Sequence, residues 1–444
     1  MEHTHPRAGI WTLGCKVNQY ESQAIAEELE RVGFLVASHR EICDLYVINT
    51  CTVTAESDRK ARQFIRRAIA KNHQAKIIVT GCLAQTSAES LAAMEGVHAV
   101  VGNGRKMDVV AEALRLFDPH QEKDAVTLSV PPLENAPFEP MRITRFDRTR
   151  AYVKIEDGCE NRCTYCIIPH ARGSVRSKAP EDVIAEVTAL AKNGCREVVL
   201  TGIETASYGK DLPDTDLATL LEQIDRIEGI GRVRLGSLDP SLIRPAFAER
   251  IAKLSSLAPH FHLSLQSGSN RILAKMKRKY NREMALDAIR RLREAIPSVA
   301  FTTDVIVGFP GETEEDFEDT VRFVKEARFL TVHIFPYSKR KGTPAALMED
   351  QIPMEVKRTR LHRLETVCAE IRGELLREIL TTSPRQQVLF ETFKDGFAYG
   401  HTPSFLEVAV PSRLPIHGEI ATVALTETDG TRCFGTLEEE KHGT

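Results

Sequence analysis

The stretch EDGCENRCTYCIIP, from Glu156 to Pro169, places Cys159, Cys163 and Cys166 in a C-x3-C-x2-C pattern. The residues just before it, in RAYVKI, read as a strand that runs directly into a cysteine loop. A structural zinc site wants four ligands, usually as two pairs. A disulfide framework wants an even number of cysteines. Three thiolates at this spacing leave a tetrahedral site one ligand short, so the rest of the chain must say what completes it.

Downstream, REVVLTGIE, RVRLGSLDP, HFHLSLQSG, FTTDVIVGFPGE and LTVHIFPYS are strand-like. They alternate with the helix-like PEDVIAEVTALAKNG, LATLLEQIDRIEG, LIRPAFAERIAKLS, NREMALDAIRRLREAI and TEEDFEDTVRFVKEA. Six strand–helix units in order predict an open or partial (β/α)6 barrel, with its chemistry on the loops after the strands. Gly202, Glu204, Ser237, Asp239, Gln266, Gly308 to Glu312, Tyr337 and Arg340 fall on those loops. Gly308, Pro310 and Gly311 could equally make a plain turn, and Asp239 could cap a following helix. Glu204 and Gln266 are harder to explain away, because a polar residue directly after an apolar strand needs a partner.

Upstream, GIWTLGC, DLYVINTC and AKIIVTGC are short apolar runs that each end at a cysteine, and VHAVVGNG is a fourth without one. The helix-like ESQAIAEELERVGF, ESDRKARQFIRRAIAKN and TSAESLAAMEG separate them, giving a β-α-β-α-β-α-β pattern and a parallel sheet. Ligands gather outside the carboxyl ends of such sheets. Cys15, Cys51 and Cys82 are therefore expected to meet there, offering a second set of three thiolates. Three unrelated buried thiols is the plainer alternative. Cys43, Cys195, Cys368 and Cys433 lack partners at ligand spacing and read as ordinary thiols. The four prolines of LSVPPLENAPFEPMRITRF mark a linker near 128–145. From about 380, short alternating strands punctuated by Asp395-Gly396 and Asp429-Gly430 predict a small antiparallel β-barrel.

The chain has 444 residues and ten cysteines, and no apolar run long enough for a signal peptide or a membrane span, so a cytoplasmic protein without membrane attachment is expected. In that reducing compartment, clustered cysteines read as metal-binding or catalytic. The net charge of −3 gives no global nucleic-acid signature. Basic runs at Arg59 to Lys71, Arg142 to Arg150, Lys275 to Lys279, Lys339 to Lys341 and Lys357 to Arg363 are compatible with a polyanion-binding face, although such runs are more usually solvated helix faces.

The C-x3-C-x2-C loop on a partial barrel resembles the radical S-adenosylmethionine (SAM) superfamily. Three soft thiolates would hold three irons of a [4Fe-4S] cluster and leave the fourth open. The C-terminal barrel is similar to the TRAM domain, an OB-like module of RNA-modifying enzymes. The order of parts, with TLGCKVNQYES, NTCTVT, TGCLAQ, GCENRCTYCIIP, HLSLQSGS, DVIVGFPGET and PYSKRKGTPA, resembles the methylthiotransferase family over essentially the whole chain. TLGCKVNQYES and LTGIE look closest to the MtaB-type branch, which acts on threonylcarbamoyladenosine in tRNA. The resemblance implies an α/β domain carrying an auxiliary cluster (1–130), a radical SAM partial barrel (145–378) and a TRAM-like RNA-binding domain (380–444).

That resemblance also implies two [4Fe-4S] clusters, one on Cys15, Cys51 and Cys82 and one on Cys159, Cys163 and Cys166. The first would carry the sulfur to be inserted. One SAM would methylate that sulfur and a second would yield a radical, since the C–H bond at carbon 2 of adenine is not acidic. The product would be the 2-methylthio derivative at tRNA position 37. Tyr165 would lie beside the cluster, Gly202 and Glu204 at the SAM amino group, Asp239 at the ribose, and Gln266 and Gly308 along the rest. Arg172, Arg176 and Arg340 are candidates for carboxylate or cluster contacts. Implied partners are the tRNA anticodon loop, an electron donor such as flavodoxin or ferredoxin, and a sulfur source. Isopentenyladenosine in tRNA and a ribosomal-protein side chain are alternative substrates, and an iron–sulfur RNA-binding module without catalysis is an alternative class.

Overall fold

In the computed structural model, residues 5–121, 125–146 and 148–438 are described. The outermost parts of the first and last expected segments, 1–4 and 439–444, lie outside the described residues.

The N-terminal third forms β1 (Arg7–Thr12), α1 (Lys16–Arg31), β2 (Leu35–Ala37), β3 (Leu45–Thr50), α2 (Ala55–Lys71) and β4 (Lys76–Gly81). It continues with α3 (Cys82–Thr86), α4 (Ala88–Ala92), β5 (Ala99–Val101), α5 (Asp108–Phe117) and β6 (Thr127–Ser129). The six strands are parallel in the order β2-β1-β3-β4-β5-β6. Every residue of β3 is buried, as a central strand covered on both faces requires. Ile65, Leu83 and Leu91 pack one face of the sheet, and Ile25, Leu29, Val109 and Leu116 the other. Three-residue β2 and β6 are too short to show a period, and pairing at the sheet edges creates them. Thus β6 takes up the first residues of the expected linker.

The middle of the chain holds β7 (Ala151–Lys154), β8 (Glu156–Asp157), α6 (Ile168–Arg172), β9 (Arg176–Ser177), α7 (Pro180–Lys192), β10 (Glu197–Thr201) and α8 (Leu217–Ile224). Next come β11 (Arg232–Leu235), β12 (Ser237–Leu238), α9 (Pro245–Ile251), β13 (His260–Gln266), α10 (Asn270–Lys275) and α11 (Arg282–Ala295). β14 (Ala300–Val307), α12 (Glu314–Ala327), β15 (Thr331–Pro336) and α13 (Met354–Thr382) complete it. The strands run parallel as β7-β10-β11 and β12-β13-β14-β15, with only Gly236 between β11 and β12. The result is the expected partial barrel, with β8 and β9 forming a small antiparallel pair beside it. Thr313 and Asp316 close a capping box on α12, which starts that helix sharply after the Gly308 turn. The sequence reading had not marked the 29-residue α13 as an element; it packs against β15 and reaches the last domain.

That domain is a closed five-strand barrel of β16 (Arg385–Lys394), β17 (Phe397–His401), β18 (Glu407–Pro411), β19 (Ile420–Thr428) and β20 (Cys433–Leu437). Neighbouring strands are antiparallel except for β18 and β20, which run parallel and give the order β16-β17-β18-β20-β19. It docks on the amino ends of the larger barrel's strands. Arg234 donates to the carbonyls of Thr402 (2.8 Å) and Pro403 (2.7 Å), and Phe405 stacks on His260 and His401. The carboxyl ends are left for the N-terminal domain and the chemistry. Among the described residues no helix is long and apolar enough to cross a membrane.

Candidate active site

Adjacent strands β1, β3 and β4 end at the same edge and carry Cys15, Cys51 and Cys82 there. The three thiols lie close together: Cys82 raises the pKa of both Cys15 and Cys51, and Cys15 also raises that of Cys51. Gly14 sits at φ +104° against Cys51, where a Cβ would lie 2.9 Å from that residue's own Cβ, so only glycine fits. Asn18 donates to the carbonyls of Leu13 (2.7 Å) and Thr50 (2.9 Å), tying the first cysteine loop to the second. Thr50 donates to the Thr80 carbonyl (2.6 Å), tying the second to the third. Asn49 donates to the Asn18 carbonyl and to Ser22. Asn18, Glu21 and Ser22 are spaced to share one face of α1, and all three are buried. This explains why the residues after Cys15 read CKVNQYES.

The second trio lies on the loop between β8 and α6. Cys159 N–H donates to the Gly173 carbonyl (3.0 Å), and Thr164 donates through its backbone to Met276 (3.1 Å) and through its hydroxyl to Lys275 (2.9 Å). Arg278 points one guanidinium nitrogen at Cys163 Sγ (3.1 Å) and another at Asp239 (3.1 Å) and the Ser264 carbonyl (2.8 Å). Its side chain is 6% exposed. The sequence reading had placed it in a basic run, where nothing local separates an inward arginine from its outward neighbours.

The two trios meet where α3 packs on α6, and Cys166 is close enough to Cys82 for their charges to interact. Arg172 forms the junction. It is fully buried, donates to Cys82 Sγ (3.3 Å) and Asn18 (2.6 Å), and pairs with Glu21 and Asp157. Lys106 and Lys154 also pair with Glu21, and Arg176 with Asp157. Four cations thus face two carboxylates, or three counting Glu139 at the edge. Glu21, Lys106, Lys154 and Asp157 are not legible in the sequence, because opposite charges on distant segments carry no sequence signal.

This setting suits an anionic metal–sulfur group. Burial, chiefly, pushes the thiol of Cys51 up to about 11, that of Cys159 to about 12 and that of Cys166 to about 11. Free of metal they stay protonated, and metal binding must displace those protons. An excess of buried positive charge is costly unless a counter-charge completes it. A single zinc with ~2.3 Å bonds would draw three sulfurs to within about 4 Å of one another. Among the described residues the group that lies within 4.8 Å is instead His262, Asp304 and His333. The cysteine trios are more open, as thiolates on separate irons must be.

Of the other expected residues, Glu204 lies within electrostatic range of Cys159, and Asp239 shares Arg278 with Cys163. Gly202 closely approaches Glu156, where a Cβ would lie 2.5 Å from the carboxyl oxygen. Glu156 accepts from the Glu204 N–H (2.8 Å), and burial holds its own carboxyl well above the usual range. Glu204 accepts from Asn161 (3.0 Å), and burial with Asp239 nearby pushes its carboxyl up to about 7. Asp239 caps the turn at Ser241 as well as pairing with Arg278. Gln266 holds φ +71° at a register shift in β13, a strained conformation of the kind found at functional sites. Tyr165 meets Phe309 edge-on. Gly308 N–H donates to Glu312 (2.7 Å), which pairs with Arg360. Arg176 and Arg340, expected at a carboxylate or cluster, each meet a carboxylate of the chain itself. Arg176 reaches Asp157 and the Ser174 carbonyl, while Arg340 donates to Asp58 (2.9 Å) and Thr52 (2.6 Å) just after Cys51.

The family model described as Radical SAM superfamily matches residues 153–324, and that described as Uncharacterized protein family UPF0004 matches residues 7–102. The chain is 42% identical over 421 residues to a threonylcarbamoyladenosine tRNA methylthiotransferase MtaB of Bacillus subtilis (strain 168), covering 93% of this chain and 92% of the relative. It is 39% identical over 369 residues to a tRNA-2-methylthio-N(6)-dimethylallyladenosine synthase of Clostridium botulinum (strain Hall), covering 82% of this chain and 81% of the relative. The solved structure of the radical S-adenosylmethionine methyltransferase TsrM from Kitasatospora setae shares the fold, with a TM-score of 0.58 at 16% identity over 88% of this chain and 82% of that one. Fold and cysteine loop together define a radical SAM protein. More narrowly, the chain belongs to the radical SAM methylthiotransferase family.

Proposed function

We propose that this chain converts threonylcarbamoyladenosine at tRNA position 37 to its 2-methylthio derivative. The observation that carries the reading is the meeting of two three-cysteine loops across α3 and α6, joined by one buried arginine. A reaction that inserts sulfur and also breaks an unreactive C–H bond needs two such centres within reach of one substrate. When bound, the two [4Fe-4S] clusters and SAM supply the sulfur, the methyl group and the one-electron chemistry.

The chain's own residues supply placement. Cys15, Cys51 and Cys82, with Arg172 beside Cys82, would hold the auxiliary cluster, and Cys159, Cys163 and Cys166, with Arg278 beside Cys163, would hold the SAM-binding cluster. Glu204 would receive the SAM amino group and Asp239 its ribose, and Tyr165, Gln266 and the Gly308 turn would line the remainder. Segment 1–130 then carries the sulfur, 145–378 the SAM chemistry, and 380–444 grips the RNA. Arg66 and Arg67 on α2, with Lys339 and Lys341 after β15, are exposed and suit the phosphate backbone. By contrast Arg278, Lys357 and Arg360 of the basic runs turn inward, toward Cys163, Tyr337 and Glu312. The reaction also needs a reductant such as flavodoxin or ferredoxin and a sulfur source, and its substrate places it in the cytoplasm.

Dimethylallyladenosine is the second reading, favoured by the Clostridium relative. Nucleoside mass spectrometry on tRNA from a host lacking its own enzyme, with and without this gene, separates them. A gene-dependent 2-methylthio-threonylcarbamoyladenosine peak is expected. A 2-methylthio-dimethylallyladenosine peak in its place would move the chain to the other branch.

A further inference from the structure

The proposed reaction determines how the base must enter. Carbon 2 and N6 of adenine flank N1 on one edge. An enzyme that reaches carbon 2 must take that edge inward, and the N6 substituent enters with it. On threonylcarbamoyladenosine that substituent ends in a carboxylate, so the lumen of the partial barrel has to receive a negative charge.

The lumen is built for one. In β15, Val332 and Ile334 pack on the hydrophobic core, which turns His333 and Phe335 the other way, and both of these are exposed. Asp304 pairs with His333 in the β14–β15 register. His262 on β13 lies 3.3 Å from Asp304 through Nε2, and its ring centroid is 5.9 Å from that of His333. Its Nδ1 meets the Thr302 hydroxyl at 3.0 Å. Both ring nitrogens of His262 thus have partners within the chain, and His262, Asp304 and His333 lie close together. Asp304, for its part, is already partnered by His262.

Lys16 reaches the same lumen from the N-terminal domain. It follows Cys15 directly, at the start of α1, which packs on β7. It keeps an exposed surface, yet the protein packed round it, with Arg150 and Arg234, lowers its pKa, while Asp304 acts the other way. It also acts on His333 and His260. Arg150 and Arg234 are committed to Glu197. Among the described residues no carboxylate comes within 4.0 Å of the Lys16 ammonium, so it is a cation without a partner. As the first residue of α1 it also stands at the positive end of the helix dipole, and the first turn carries no acid. Stability would favour an acid at that position.

We propose that Lys16, with His333 on the facing strand β15, is the subsite that binds the carboxylate of the N6 substituent. It makes the choice between a charged and an apolar modified adenosine, while Phe335 offers a flat face to the base above it. Lys16 is a specificity residue: it touches the substrate's far end and not the reacting carbon. The inference rests on the function proposed above.

The test uses the cluster-loaded enzyme with anticodon stem-loop RNA carrying threonylcarbamoyladenosine, or the same RNA with that carboxylate converted to a carboxamide. The wild type should favour the carboxylate in kcat/KM by on the order of 10- to 100-fold, the worth of one charged hydrogen bond. Lys16→Gln should lose that preference through a fall on the carboxylate RNA alone, with iron per chain unchanged. Lys16→Arg should keep it. If Lys16→Gln slows both RNAs equally, or the wild type treats them alike, the subsite is wrong while the proposed function stands. If the wild type modifies neither RNA, the proposed function falls and the subsite falls with it.

Discussion

Arg172 shows how far one side chain can carry the site. Its guanidinium joins Asn18 and Glu21 from α1, Asp157 from β8 and Cys82 from α3, so it fixes the distance between the two cysteine trios. Arg172→Ala leaves Glu21 and Asp157 buried with fewer counter-charges, a change worth about 3–5 kcal/mol. We expect a lower melting temperature and iron lost first from the Cys15, Cys51 and Cys82 site, read by calorimetry and iron analysis of the anaerobic protein. A variant that melts and binds iron like the wild type would show that the junction is incidental. At this scale the sequence was legible where chemistry is local. Cysteines at strand ends and a glycine beside a cysteine can be read directly. Arg278 could not, since its role depends on which way one residue of a basic run points. Nor could the identity of the carboxylates that Arg176 and Arg340 meet, since Asp157 and Asp58 lie elsewhere in the sequence.

Elements were legible in proportion to their length. Strands of four or more residues between helices stood out by their apolar runs, whereas β2 and β6 exist through edge pairing. The basic run at Lys357 to Arg363 hid the start of α13. Its Lys357 and Arg360 are buried against the Gly308 to Glu312 turn, a mixture that masks the helical stripe. Docking between the two barrels was invisible in sequence, yet it has a titratable lock. Glu391 on β16 accepts from His401 and from Arg150 at the foot of the larger barrel. Burial opposes its charge, but the bonds from His401 and Arg150 prevail and hold its carboxyl down at about 2. A carboxyl lowered by folding stabilises above its unfolded value near 4.5, and that stability is lost as pH falls toward 2. The lock is worth on the order of 3 kcal/mol at neutral pH. Glu391→Gln should therefore melt below the wild type at pH 7, with the gap closing between pH 4.5 and 2. A gap independent of pH would mean that the carboxylate's charge contributes nothing.

At the scale of the whole molecule, two domains each bring an incomplete set of three thiolates to one junction, and a third domain closes the far end of the barrel. The order of domains was legible because each has its own period: alternating β and α, then β/α units, then short strands ending in turns. What the sequence left open was their mutual placement, and with it the lumen shared by Lys16, Asp304 and His333. The central claim is that the trios have separate duties in one reaction, and single-cysteine variants test it most directly. Cys82→Ala and Cys163→Ala, loaded anaerobically and supplied with reductant, SAM and tRNA, should each lose up to about half of the wild type's iron, about eight per chain for two four-iron clusters. Cys82→Ala should still release 5′-deoxyadenosine but form no methylthio nucleoside, whereas Cys163→Ala should form neither. Methylthio product from Cys82→Ala, or 5′-deoxyadenosine from Cys163→Ala, would contradict the account.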